Sequence, residues 1–244
     1  MKSISETGHA KNVANFEDLI SFCTAYGANY NPSKTAITIP QLNVQFANAQ
    51  NSIALVTTSK NSFDNATGIR QTVFAPLKPL ATKIINALSA TDALDTVIKD
   101  AKTINRKLQG SRAPKKSAIP QETPLPENTP TTISTSQQSY DRLMDSFSKL
   151  IDLVSAETNY SPNEVGLKVA DLNQTLKDLK AANTTVISKY TDYSNARIDR
   201  DNQLYNTKNG LVETVQDVKK YVKSVFGAAS PQFNQVSGLK FSKV

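Results

Sequence analysis

Few side chains in this sequence are suited to covalent or metal chemistry. The one cysteine, Cys23, is the only thiol nucleophile on offer, and the one histidine, His9, the only imidazole. A lone cysteine can serve as a nucleophile. Cys23, however, lies on an apolar helical stripe, and the second half of the chain carries Val154 at the same stripe position. A place that suits valine equally well wants a small apolar side chain, which free cysteine supplies, so Cys23 is expected in the core. His9 follows Gly8 in a polar stretch without periodic apolar neighbours, and a solvated place in an N-terminal tail, residues 1–11, is expected for it. One cysteine and one histidine make neither a zinc ligand set nor an internal disulfide. Carboxylates such as Asp199, Asp201 and Glu213 are interleaved with Arg197, Arg200 and Lys219, the pattern of a solvated helix face with weak ion pairs. No glycine-rich loop runs into a lysine and a serine or threonine, so a phosphate cradle is missing as well. The residues point away from an enzyme and imply no metal and no cofactor.

Two constellations occur twice. One is Tyr-x-Pro, at Tyr30 and Pro32 and again at Tyr160 and Pro162. Its tyrosine is placed to anchor a loop on a bundle end, with the hydroxyl bonded to backbone. The other is Asn65, Ala66 and Arg70, matched by Asn195, Ala196 and Arg200, with the arginine expected to cap a neighbouring helix end. The alternative for both is a ligand site at one bundle end. Along one straight helix Tyr30 and Arg70 lie more than about 45 Å apart, so they cannot share a site within one copy.

A third feature is charge. Between 99 and 116 stand Lys99, Lys102, Arg106, Lys107, Arg112, Lys115 and Lys116 against Asp100 alone, in a chain whose formal net charge is +7. Lys99, Lys102 and Arg106 share a helix face, and the rest continue as a loose arm. Such a patch can attract nucleic acid phosphates or anionic lipid. The stretch from Phe74 to Tyr140 holds no aromatic residue between its ends, which removes the stacking platform of single-strand binders. A solubilising basic arm is the favoured reading, with nucleic acid contact as the alternative.

The elements that must position these residues follow from an internal duplication. Shifting the chain by 130 residues aligns Tyr30, Pro32, Leu42, Asn43, Val56, Asn65, Ala66 and Arg70 with Tyr160, Pro162, Leu172, Asn173, Val186, Asn195, Ala196 and Arg200, which is 8 identities over 41 ungapped positions. A one-residue indel extends the match to Phe16, Leu19 and Ile20 against Phe147, Leu150 and Ile151. Two copies result, 12–110 and 139–244. The segment 111–138 between them holds Pro114, Pro120, Pro124, Pro126 and Pro130 among small polar residues. It favours extended conformations, and at about 3.1 Å per residue it could span on the order of 80 Å. The copies need not touch.

Each copy reads as helices. Val13, Phe16, Ile20 and Cys23 match Met144, Phe147, Ile151 and Val154 at a spacing of 3, 4, 3. Ser161, Pro162, Asn163 and Glu164 have the form of a capping box, interrupted at Gly166. A long helix over 168–205, about 57 Å by its rise, carries a heptad seam of Val165, Val169, Leu172, Leu176, Leu179, Asn183, Val186, Tyr190 and Tyr193. Its first-copy equivalent starts near Thr38 and Pro40. Third helices carry Ala81, Ile85 and Leu88, and Leu211, Val215, Val218 and Val222. Fourth helices run from Leu94 to Leu108, closed by Gly110, and from Ser230 through Val236. A single stripe per helix is buried only when three or four helices pack. The expected fold is all-α: two tandem antiparallel bundles of three to four helices, each with one long helix, joined by the proline-rich linker.

The runs Tyr160-Ser-Pro-Asn-Glu164, Val169-Ala-Asp-Leu172, Ala196-Arg-Ile-Asp-Arg200, Val218-Lys-Lys-Tyr-Val-Lys-Ser-Val-Phe-Gly227, Ser230-Pro-Gln-Phe-Asn-Gln-Val-Ser-Gly-Leu-Lys-Phe241 and Thr103-Ile-Asn-Arg-Lys-Leu-Gln-Gly110 resemble a group of duplicated helical proteins from bacteria that has no assigned activity. The resemblance implies the fold and adds no chemistry. No run of apolar residues reaches signal-peptide or membrane-span length, so a cytoplasmic protein without membrane insertion is expected. The function expected is that of a non-enzymatic scaffold, with a protein partner or self-association; the alternative is a nucleic-acid-associated protein acting through 99–116.

Overall fold

The computed structural model describes residues 7–110 and 138–243. Among these residues there is no strand, and the elements in order are α1 (Thr7–Ala25), two 3₁₀ turns (Gly27–Asn29 and Thr35–Ile37), α2 (Ile39–Phe74), α3 (Leu77–Ser89), α4 (Asp95–Gln109), α5 (Tyr140–Ala156), α6 (Val169–Tyr205), α7 (Leu211–Phe226) and α8 (Pro231–Ser237). The protein is all-α.

Local chemistry sets several helix ends. Ser139 caps α5 by accepting from the Arg142 N–H at 3.3 Å, and Ser230 caps α8 by accepting from the Phe233 N–H at 3.0 Å, with Pro231 in its first turn. Gly110 ends α4 at φ +74°, a left-handed conformation that a Cβ would strain. The capping box expected at Ser161 to Glu164 does not open a helix: residues 161–168 are not helical, and α6 starts at Val169. Gly166, at φ +86°, forms a turn closed by its own N–H donating to the Asp171 carboxylate at 2.8 Å. That turn leaves Val165 93% exposed, so Val165 does not belong to the apolar seam. Tyr190 is also largely exposed, while Leu172, Leu176, Leu179 and Val186 are buried.

The N-terminal tail is shorter than 1–11. Helix α1 already runs at Thr7, and His9 is buried at 4% exposure instead of solvated. Its Nδ1 lies 2.7 Å from the Tyr205 hydroxyl, a partner 196 residues away that no local pattern announces.

The compact units also differ from the two sequence copies. One unit comprises residues 1–65 and 188–244, the other residues 66–187, so both boundaries fall inside the long helices α2 and α6. In the first unit α1 packs on α7 and α8. Its core joins Phe16, Leu19 and Leu42 from the first copy to Leu211, Val215 and Val218 from the second. In the second unit α3 and α4 pack on α5. Its core joins Leu77, Ile84 and Leu88 to Phe147, Leu150 and Leu172. Each unit thus takes the first helix of one copy and the third and fourth of the other. The physical reason lies in length. Helices α2 and α6 have 36 and 37 residues, whereas α1, α3, α5 and α7 have 19, 13, 17 and 16. A short helix covers only part of a long stripe, and the remainder is open to a helix from elsewhere in the chain.

The linker lies outside the described residues except for Gln138. Gln138 donates from its side-chain amide to the Lys107 carbonyl at 3.0 Å and to the Leu108 carbonyl at 3.4 Å. Gly110 and Gln138, the described residues on either side of the segment, are therefore neighbours in the fold. Cleaving the full-length protein at a protease site inserted within 111–137 should leave both fragments in one 1:1 particle by size exclusion, parting only in denaturant. Fragments that separate in native buffer would contradict units built from both copies.

Candidate functional site

The two Tyr-x-Pro corners can be compared residue by residue, one in each unit. Tyr30 is buried, and its hydroxyl donates to the Ile37 carbonyl at 2.7 Å. Tyr160 is buried, and its hydroxyl donates to the Leu167 carbonyl at 2.9 Å. Each tyrosine closes a loop onto a carbonyl seven residues ahead, which is the backbone anchoring expected of it. Pro32 is buried and Pro162 half-buried. Burial raises the Tyr160 phenol to about 12, with Glu164 adding to the effect. Burial also raises the Tyr30 phenol, helped by Cys23 beside it.

Cys23 is buried at 1% exposure, in the core as its match with Val154 indicated. Burial pushes its thiol up to about 12, although a hydrogen bond with Tyr30 acts in the opposite direction. The thiol therefore stays protonated at neutral pH, and a thiol is a poor nucleophile compared with its thiolate.

The corners differ in what faces the tyrosine. In the first unit α7 supplies Tyr221, whose ring meets Tyr30 edge-on at 5.2 Å between centroids and 89°. The Asn31 N–H donates to the Tyr221 hydroxyl at 3.1 Å, and Lys34 pairs with Asp217. Lys34 holds the Asp217 carboxyl below the usual carboxylate range. In the second unit a cavity of about 400 Å³ stands beside Tyr160, with Lys83, Asn86, Ala87, Ala90 and Thr91 on one side. Residues 159–162, Glu164 and Leu167 form the other.

The Asn-Ala-Arg constellation divides into separate tasks. Ala66 and Ala196 are buried, and Asn65 and Asn195 are exposed. Arg70 is held by side chains and does not cap a helix end. Arg70 lies over the Tyr140 ring at 3.9 Å and donates from Nη1 to the Asn183 side chain at 3.0 Å. Asn183 in turn donates to Asp141 at 3.1 Å, so this seam position is buried by pairing and not by apolar character. Arg200 is 3% exposed and donates to its neighbour Asp201 at 2.8 and 3.1 Å. Arg70 meets side chains 70 and 113 residues away, because an arginine on a long helix meets whatever the facing helices carry.

Of the basic residues, Lys99, Lys102, Arg106 and Lys107 are exposed on α4, and Arg112, Lys115 and Lys116 lie outside the described residues. Arg106 and Lys107 sit in the last turn of α4, where they complement the helix dipole. Among the described residues no group of three or more His, Cys, Asp or Glu is placed to hold a metal ion.

Asn12 stands outside the expectations drawn above. Buried at 2%, it donates to the Ser242 carbonyl at 2.7 Å and accepts from the Ser242 N–H at 3.2 Å, tying the last described residues to α1. Its only signal is a polar residue on an apolar stripe.

No family model, no curated protein and no solved structure matches this chain.

Two measurements test this account. Tyr30→Phe and Tyr160→Phe each leave a carbonyl without its donor and should cost about 1–3 kcal/mol in urea unfolding. Cys23→Val should change stability by less than about 1.5 kcal/mol. The folded thiol titrates near 12 and the unfolded one near 9.0, so its contribution is complete below pH 9 and is lost as pH rises toward 12. Stability of the valine variant should therefore decline less steeply over that alkaline range.

Proposed function

We propose that this chain is a non-enzymatic helical scaffold that associates with itself, and that it belongs with a group of duplicated helical proteins of bacteria. The observation that carries this reading is that the tyrosines, alanines and arginines shared by both copies are engaged in packing: two tyrosines anchor loops, two alanines fill helix contacts, and the two arginines are held by neighbouring side chains. Tandem duplication accounts for the helix order, in which the short, long, short, short succession of α1 to α4 recurs in α5 to α8. Exposed apolar residues supply a surface. In the first unit, Val44 and Leu55 on α2 are 53% and 49% exposed. Their interval of 11 residues puts them on one side of a helix with 3.6 residues per turn. Among the described residues no helix is long and apolar enough to cross a membrane.

Light scattering should give a particle mass of two or more times 26.6 kDa, falling when Val44→Asp and Leu55→Asp are combined while helical content is kept. A monomer at every concentration would rule out self-association.

The exposed bases on α4 favour a second reading, nucleic acid binding. Phosphate contacts release counterions, so affinity should fall with salt at a log-log slope of about 0.7 to 0.9 per phosphate. Under the scaffold reading, binding to duplex or single strands is weak and gone by moderate salt. Micromolar binding at physiological salt, lost when Lys99, Lys102, Arg106 and Lys107 become Gln, would establish the second reading instead.

A further inference from the structure

The cavity beside Tyr160 has an internal reference, the corner around Tyr30. Both corners are built from the same Tyr-x-Pro loop, closed by the same hydroxyl-to-carbonyl bond seven residues ahead. In the Tyr30 corner the space between this loop and the third helix is taken by a phenol, that of Tyr221. Its ring stands edge-on to Tyr30 and its hydroxyl accepts from the N–H of the residue that follows Tyr30. Edge-to-face packing satisfies the ring quadrupoles, and the N–H satisfies the hydroxyl. In the Tyr160 corner the third helix, α3, contains no aromatic residue, and the cavity is lined there by Ala87 and, just past the helix end, by Ala90 and Thr91. Removing the ring from this design leaves the cavity of about 400 Å³, which lies within the range of small-ligand sites.

We propose that this cavity binds an external phenolic ring in the place that Tyr221 holds in the other corner. The ring stacks edge-on to Tyr160, and its hydroxyl accepts from the N–H of Ser161, the residue that follows Tyr160 as Asn31 follows Tyr30. The cavity lining also carries charges of both signs. Glu164 stands four residues after Tyr160, as Lys34 stands four after Tyr30, and Lys83 belongs to the opposite wall. Lys34 is paired with Asp217, whereas Lys83 and Glu164 make no ion pair with each other. A substituent para to the hydroxyl that carries an ammonium and a carboxylate is matched by these two charges. The ligand class is therefore a para-substituted phenol of the tyrosine type, borne by a free amino acid or by a tyrosine in a peptide. This site is independent of the scaffold reading and can fail or stand without it.

The test uses the full-length protein and ligand-observed NMR with p-cresol, toluene, L-tyrosine and N-acetyltyrosinamide. p-Cresol should bind several-fold more tightly than toluene and should shift the amide signals of Ser161 and Thr91 in a ¹H–¹⁵N spectrum. Ala87 stands ten residues after the start of α3, as Tyr221 stands ten after the start of α7; Ala87→Tyr, which restores the missing ring, and Ala90→Leu, which narrows the cavity, should each weaken p-cresol at least tenfold. The amide shifts in the unaltered protein need no variant, so they decide the matter if either substitution unfolds the chain. Tighter binding of L-tyrosine than of N-acetyltyrosinamide identifies a free amino acid as the source; the reverse order identifies a peptide-borne ring. The proposal is overturned if p-cresol does not bind at millimolar concentration, if toluene binds as well, or if the perturbed amides lie away from this corner.

Discussion

An apolar stripe 37 residues long cannot be covered by a helix of 16 or 17. Most of the architecture depends on that mismatch. Burial of apolar side chains is the main favourable contribution to folding, at roughly 25 cal/mol per Å², and a stripe left half covered forfeits much of it. Helices α2 and α6 therefore each belong to two compact units, and each unit recruits short helices from both sequence copies. The close approach of Gln138 to the end of α4 agrees with this arrangement, since the chain passes from the first copy to the second within one unit.

Within each unit the ends of the stripe are closed by the same device. A tyrosine hydroxyl reaches a carbonyl seven residues ahead, which fixes an irregular loop at low cost in exposed backbone. Loops anchored by the same bond do not make identical corners, because the third helix facing them has changed: Tyr221 and Asp217 on α7, Lys83 and Ala87 on α3. The backbone device is kept while the chemistry of the facing wall differs, and a filled corner stands beside one with an open cavity in the same chain.

Buried polar groups sit where helices distant in sequence meet. His9 and Asn12 reach Tyr205, and Asn12 also holds the backbone of Ser242. Arg70, Asn183, Asp141 and Tyr140 form a similar cluster in the other unit. A buried amide or imidazole is tolerated only when its hydrogen bonds are made, so these groups specify which helices pair. Lys219 does comparable work at the end of α8, donating to the Leu239 carbonyl at 2.6 Å; burial lowers its pKa.

The sequence alone determined the helical class, the extent of α6 to within a residue, the α4 stop at Gly110, the capping of α8 by Ser230, the core place of Cys23 and the backbone bonding of both Tyr-x-Pro tyrosines. These are local matters: apolar period, left-handed glycine and cap geometry act within a few residues of where they are written. Only the tertiary structure decided which helices share a core, why His9 is buried, what holds Arg70 and Arg200, and why one tyrosine corner is filled and the other open. The apolar stripe of α1 is equally complementary to a neighbour from its own copy and to one from the other, since burial is not directional. Partner choice then rests on contacts such as His9 with Tyr205 and Arg70 with Asn183, 196 and 113 residues apart, and no periodicity along the chain encodes separations of that length.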